Sequence, residues 1–252
     1  MIKKEFMKVA SVEKIAKDSY EMILENEYIS THAVPGQFIH IAVPGLTLRR
    51  PISIAAVDKQ AHTITILFKT VGDGTEALST YEKGNILDVL GPAGQGFPFD
   101  DLHGGSSILL IGGGIGVPPI YFLATELTKR HMNLQFILGF QSKEYLFYEK
   151  EFQALGETII VTNDGSYGEK GFVTDVFDHV AAFERYYSCG PLPMLTAVKN
   201  QLKHKKGYLS FEERMGCGVG ACFACVIPTN DQKGYKKICQ DGPVFAADEV
   251  IL

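Results

Sequence analysis

The chain has 252 residues, of which 46% are hydrophobic and 21% charged. That composition excludes intrinsic disorder and is enough to bury one large core or a few small ones. The net charge of −5 leaves no basic surplus, which argues against a nucleic-acid binder.

The N-terminal stretch MIKKEFMKVASVEKIAKDSYEM carries charges throughout and lacks the apolar run of a signal peptide. The most apolar later stretch, SSILLIGGGIGVPPIYFLA, is broken by glycines and by Pro118-Pro119. It reads as a strand, a loop and a helix start rather than a membrane span. The expected location is the cytoplasm, where thiols stay reduced and clustered cysteines favour metal over disulfides.

Residues 1–100 contain short alternating runs, QFIHIAV, HTITILFKTV and NILDVLGP, punctuated at Pro35-Gly36, Pro44-Gly45 and Gly91-Pro92. Several short strands at this spacing predict a small antiparallel β-barrel. Within it, LRRPISIA places Arg50, Pro51 and Ser53 at the start of a strand. An arginine can hold a phosphate by two hydrogen bonds, and a serine hydroxyl can reach a flavin ring atom or a phosphate. VGDGTEALSTY then predicts a glycine loop and a short helix, where Gly74 and Thr75 would offer backbone N–H groups to a pyrophosphate. Alternatively Arg50 pairs with a surface carboxylate and Gly72-Asp73-Gly74 is only a turn.

From 101 to 210 apolar runs alternate with helical patterns. SILLIGG, LQFILGF, ETIIVTND and RYYSCGP read as strands. PPIYFLATELTKR reads as a helix, with further helices expected at 145–155, 172–183 and 192–204. This rhythm predicts a doubly wound parallel sheet, an α/β nucleotide domain. Gly112, Gly113, Gly114 and Gly116 fall between its first strand and first helix, where phosphates can approach the backbone. Glycine-rich turns also serve packing alone. The acidic residue expected to hold a ribose is missing from LGFQSKEYLFYE after the next strand, and no arginine stands there for a 2′-phosphate, although Lys143 is near. The balance leans to NAD over NADP.

Residues 211–252 hold four of the five cysteines, spaced Cys217-x4-Cys222-x2-Cys225-x13-Cys239. Four thiolates suit two irons and two sulfides, and three close together can wrap a cluster in one loop. This is the plant-type [2Fe-2S] spacing. Gly216, Gly218 and Gly220 let backbone N–H groups approach the sulfurs. A structural zinc site is the main alternative, but it usually shows two short cysteine pairs. The seven histidines form no ligand-like spacing.

Arg50-Pro51-Ile52-Ser53, Gly74-Thr75, GGGIGVPP and the CGP at 189–191 together resemble the ferredoxin reductase superfamily of FAD and NAD(P) enzymes. With ERMGCGVGACFACV and CQDGPVF added, the whole chain is similar to the electron-transfer subunits of class 1B dihydroorotate dehydrogenases. The resemblance implies an FAD held by Arg50, Pro51, Ile52 and Ser53, by Leu67, Phe68 and Lys69 on the next strand, and by Gly74 and Thr75 at its pyrophosphate. It implies NAD at the glycine loop, and a [2Fe-2S] cluster on Cys217, Cys222, Cys225 and Cys239. Cys189 would lie near the nicotinamide, or else simply end a buried strand.

Three cofactor modules use up the chain and leave no region for an organic substrate. The implied partner is an FMN-containing catalytic subunit in a two-plus-two heterotetramer that makes pyrimidine precursors. Other readings are an electron-transfer subunit of a sulfite reductase, hydrogenase or transhydrogenase, a redox sensor without turnover, or a nucleotide-binding protein with a zinc tail.

Overall fold

The computed structural model describes residues 1–252. Its first part runs β1 (Lys3–Ala16), β2 (Ser19–Glu25), α1 (Glu27–His32), β3 (Phe38–Ile41), β4 (Arg50–Asp58), β5 (Thr63–Lys69), α2 (Asp73–Ser79) and β6 (Ile86–Ala93). These six strands close an antiparallel barrel in the order β1-β2-β5-β4-β3-β6. Alternation builds it, because successive side chains of a strand point to opposite faces. Met7 and Val9 of β1, Ile39 and Ile41 of β3, and Ile64 and Ile66 of β5 fill the interior. Phe38 and His40 of β3 face the outside of the barrel, where Phe38 packs into a different core.

The second part runs β7 (Ser107–Gly113), α3 (Val117–Lys129), β8 (Asn133–Phe140), α4 (Glu149–Gln153), β9 (Glu157–Thr162), β10 (Glu169–Lys170), β11 (Arg185–Cys189), α5 (Leu192–Gln201) and β12 (Lys206–Ser210). It is followed by β13 (Val226–Pro228), β14 (Tyr235–Lys237), α6 (Ile238–Asp241) and β15 (Val244–Ala246). The large sheet has the order β10-β9-β8-β7-β11-β12-β15. It is parallel except at its edge, where β15 pairs antiparallel with β12. The cysteine segment, with its small β13–β14 ladder, is therefore bracketed by two neighbouring strands of the nucleotide sheet.

Two of the expected helices are shorter than their apolar patterns suggest. Around 145–155 a 3-10 turn at Lys143–Tyr145 is followed by α4 alone, because Tyr148 takes a left-handed φ of 62° and interrupts a continuous helix. At 172–183 the chain forms a 3-10 helix, Val173–His179, whose entry is held by the Phe172 N–H donating to Asp175 Oδ2 at 2.8 Å. β-Branched Val173, Thr174 and Val176 weaken any longer α-helix there.

Helix α3 ties the barrel to the sheet. Phe122 enters the barrel core, whereas Val117, Ile120, Leu123 and Leu127 pack on the sheet. Ala55 and Leu67, on the barrel wall, join the sheet-side core. Burying Phe122 alone is worth on the order of 1.5–3 kcal/mol. The connection from barrel to sheet is pinned as well: Arg185 donates two 2.7 Å hydrogen bonds to Asp101, and the Tyr187 hydroxyl donates to Pro98 C=O at 2.7 Å.

Candidate redox site

The barrel presents the arginine motif at the beginning of β4. Register places Arg50 opposite Ile41, Pro51 opposite His40, Ile52 opposite Ile39, and Ser53 opposite Phe38. Paired residues of an antiparallel ladder share a face. Pro51 and Ser53 thus stand on the outer face with His40 and Phe38. The Arg50 guanidinium reaches across to α2, where a Cβ built on Gly74 would lie 2.2 Å from Arg50 Nε. Glycine at 74 is required for that approach. Thr75 is committed locally: its hydroxyl accepts from the Val71 N–H at 3.0 Å and donates to Gly72 C=O at 3.1 Å, and its N–H donates to the same carbonyl at 3.0 Å. Gly74 is left as the residue of the pair whose N–H that turn does not use. On β5, Leu67 packs outward toward α3, the Phe68 ring turns into the barrel and stacks on Tyr20, and Lys69 lies over the Tyr145 ring at 4.3 Å. Phe68 can therefore face an outer ligand only with its backbone.

The glycine loop sits at the topological switch of the sheet. β8 and β9 extend from β7 on one side, and β11 and β12 on the other. Ligands of open α/β sheets bind in the crevice at such a point, outside the carboxyl ends of the strands. Gly112 and Gly113 end β7, and Gly114–Gly116 make a 3-10 turn into α3, with proline in its first turn. Gly114 has φ +52°, and a Cβ placed there would meet nothing within 4 Å, so the turn is open to a ligand. Gly116 lies against the backbone of Cys189, since a Cβ at 116 would meet the Cys189 carbonyl at 2.4 Å. The loop and the CGP turn are thus one wall.

Cys189 is fully buried and ends β11 between Gly112 of β7 and Ser210 of β12. Burial raises its thiol well above the usual range, and the nearby Glu212 carboxylate raises it further. It is a neutral wall residue rather than a nucleophile. Glu212 carries no motif signal; its only clue in the sequence is its place two residues beyond β12. Solvent reaches it, yet protein surrounds it, and that desolvation lifts its carboxyl to about 7. A carboxyl lifted in the folded state adds stability below its unfolded value of 4.5 and loses it as pH rises through about 7. The stability of the wild-type protein relative to Glu212→Gln should accordingly decline across that window. Paired melting curves against pH check this; parallel profiles would show that Glu212 is not desolvated.

The cysteine loop lies against the outer face of the barrel. Cys225 and Cys239 are buried, and Cys217 and Cys222 are half-buried. The thiols act on one another in two neighbouring pairs, Cys217 with Cys222 and Cys225 with Cys239. No three His, Cys, Asp or Glu side chains gather as a single ion would need. A binuclear cluster takes two thiolates at each iron, so the paired arrangement fits [2Fe-2S] better than tetrahedral zinc. The loop also aims N–H groups at sulfur: Val219 and Cys222 donate to Cys217 Sγ at 3.5 and 3.3 Å, and Gly220 donates to Cys239 Sγ at 3.2 Å. Burial opposes ionisation of Cys217, but these N–H groups outweigh it and bring the thiol down to about 6. Cys239 is pushed up to about 12 by burial and by its contact with Cys225. Such donors suit a cluster whose sulfurs carry negative charge.

A barrel with an arginine laid against a glycine turn, a switch-point crevice and a four-thiol loop together define a ferredoxin-reductase-like electron-transfer oxidoreductase. Residues 110–200 match the oxidoreductase NAD-binding domain, and residues 212–251 match the iron-sulfur cluster binding domain of dihydroorotate dehydrogenase B. Proteins of Bacillus cereus (strain AH187) and Bacillus anthracis (strain CDC 684 / NRRL 3495), each named dihydroorotate dehydrogenase B (NAD(+)), electron transfer subunit, are 48% identical over the full length of both chains. The chain belongs to that family of electron-transfer subunits. A chain from the structure of an NADH-dependent reduced ferredoxin-NADP oxidoreductase superposes with a TM-score of 0.88 at 29% identity, covering 97% of this chain and 89% of that one. The ferredoxin NADP+ reductase of Neisseria gonorrhoeae shares the fold, with a TM-score of 0.69 at 17% identity over 85% of this chain and 96% of its own. The chain is therefore an NAD-linked oxidoreductase subunit that works with a catalytic partner subunit. No helix is long and apolar enough to cross a membrane.

Proposed function

We propose that this chain accepts electrons from an FMN-containing, dihydroorotate-oxidising subunit in a two-plus-two assembly in the cytoplasm, and delivers them to NAD+. The observation that carries this reading is the seat of the cysteine loop on the barrel. A Cβ on Gly218 would come within 2.2 Å of His40, and His40 is paired in register with Pro51 of the arginine motif. The loop thus lies beside the face where a flavin would rest. When bound, FAD exchanges a hydride with nicotinamide and single electrons with an iron–sulfur cluster.

The chain's own residues position these groups. Arg50 and Gly74 hold the flavin's phosphates; Pro51 and Ser53, with Leu67 and Lys69, shape its ring seat, to which Ile52 and Phe68, their side chains turned into the barrel, offer only backbone. Gly112, Gly113, Gly114 and Gly116 admit NAD against the wall formed by Cys189. Cys217, Cys222, Cys225 and Cys239 hold the cluster. Val219, Phe223, Val226 and Tyr235 are exposed apolar residues around that loop, and they suit a surface through which electrons arrive from a partner.

Affinity purification of the tagged chain from its native cells tests the reading. The expected eluate is brown and contains, for each tagged chain, one dihydroorotate-oxidising partner subunit, two flavins and two acid-labile sulfides. A colourless, zinc-containing protein would overturn the cluster, and a brown complex with another partner would overturn the pathway.

A further inference from the structure

The chain buries one imidazole with no partner for either nitrogen. His40 is 0% exposed, and neither Nδ1 nor Nε2 makes a hydrogen bond within the protein. A neutral imidazole carries one donor and one acceptor, and leaving a buried polar group unpaired costs on the order of 1–3 kcal/mol. Burial first, and then the cations of Arg49 and Arg50, bring this ring's pKa down to about 4, so it is neutral near pH 7. The charged groups acting on it are those two guanidiniums, which are donors only; the Arg49 backbone carbonyl lies near enough to oppose the shift, but neither ring nitrogen completes a hydrogen bond to it. Arg49 is itself engaged, donating to Asp88 Oδ1 at 2.8 Å and to the His40 backbone carbonyl at 3.3 Å.

The position narrows the missing acceptor. His40 stands on the outer face of the barrel beside Pro51, and its Nδ1 is the atom nearest to Gly218. Gly218 has φ +70° and directly follows Cys217. A side chain at 218 would displace the imidazole, so the loop is built to bring backbone and ring together. The acceptor that belongs on this side is sulfur: a cluster sulfide or the Cys217 thiolate.

We propose that His40 donates a hydrogen bond from Nδ1 to a sulfur of the iron–sulfur cluster and so sets its reduction potential from the barrel side. The proposal rests on the cluster reading above. Hydrogen bonds to cluster sulfurs stabilise the reduced, more negative form and raise the potential. His40 is then a tuning and positioning residue and takes no part in the chemistry of the nicotinamide.

Redox titration of the purified complex, followed by the electron paramagnetic resonance signal of the reduced cluster, tests it. His40→Leu removes the donor, and the cluster midpoint should move to a more negative value while the flavin midpoint and FAD content stay the same. Asparagine places its amide nitrogen near the position of Nδ1, whereas glutamine places it near Nε2. His40→Asn should therefore restore the wild-type midpoint, and His40→Gln should not. A cluster midpoint unchanged in His40→Leu overturns the proposal, as does a shift confined to the flavin. If His40→Leu holds no cluster, the Asn and Gln variants decide: equal midpoints in the two overturn the Nδ1 assignment. A wild-type protein without any cluster would instead refute the cluster reading itself, so the two failures are separable.

Discussion

Replacing Cys222 with serine should remove the iron–sulfur chromophore and bring NAD-linked turnover of the complex down to background. Cys222 is paired with Cys217, and its own N–H donates to Cys217 Sγ, so the substitution disturbs one whole side of the site. Loss of an outer-shell partner of a metal typically costs about 10–100-fold in affinity or activity. Loss of a ligand should exceed that, so a fall on the order of 100-fold or more is expected. The partner subunit should still oxidise dihydroorotate with an artificial acceptor, because its own site is untouched. Iron and sulfide analysis, the visible spectrum and the two assays check this together. NAD reduction continuing at the wild-type rate would show that electrons do not pass through the loop.

Gly74→Ala should weaken FAD binding without weakening the fold. The new methyl would lie 2.2 Å from Arg50 Nε and 2.6 Å from Arg50 Cζ, so the guanidinium must swing away from α2. A hydrogen bond to a charged group contributes about 1.5–3 kcal/mol, which corresponds to roughly 10–150-fold in dissociation constant. Alanine is meanwhile the better helix former by about 1 kcal/mol. The flavin-free protein should therefore melt no lower than wild type, while FAD titration by fluorescence shows the weaker affinity. Arg50→Ala should give a loss of similar size, and Arg50→Lys a partial one, because lysine cannot present the planar fork. The double variant Arg50→Ala, Gly74→Ala should be little worse than either alone, since both remove the same contact. Full additivity would mean that Gly74 acts through something other than Arg50.

Much of this architecture is legible in the sequence because its signals are local. Alternation in HTITILFKTV marks β5, the glycine run marks the switch-point turn, and the cysteine spacing marks the loop that pairs its thiols. The long β1 is harder to see: Met7 and Val9 face the core, but Lys4, Glu5 and Lys8 among them blur the apolar alternation that would mark a strand. Residues 172–183 carry a helical pattern, yet only Val173–His179 form a helix, a 3-10 one whose entry the Phe172 N–H makes by donating to Asp175. His40 and Glu212 are invisible for a different reason. Each is an isolated residue whose character comes from what long-range folding places around it, the Gly218 turn in one case and the crevice beside Cys189 in the other. Nor does spacing show that Thr75 spends its hydroxyl on its own turn.

The return of β15 to the edge of the nucleotide sheet has a consequence for biogenesis. During synthesis the chain delivers β12 first, then all four sulfur ligands, and only afterwards the strand that covers the free edge of β12. Until the sulfur loop has folded back onto the barrel, β12 stays an uncapped edge with unpaired N–H and C=O groups, the kind of edge on which a second chain can pair. Chaperones would thus meet β12 as an open edge until residues 244–246 have been made.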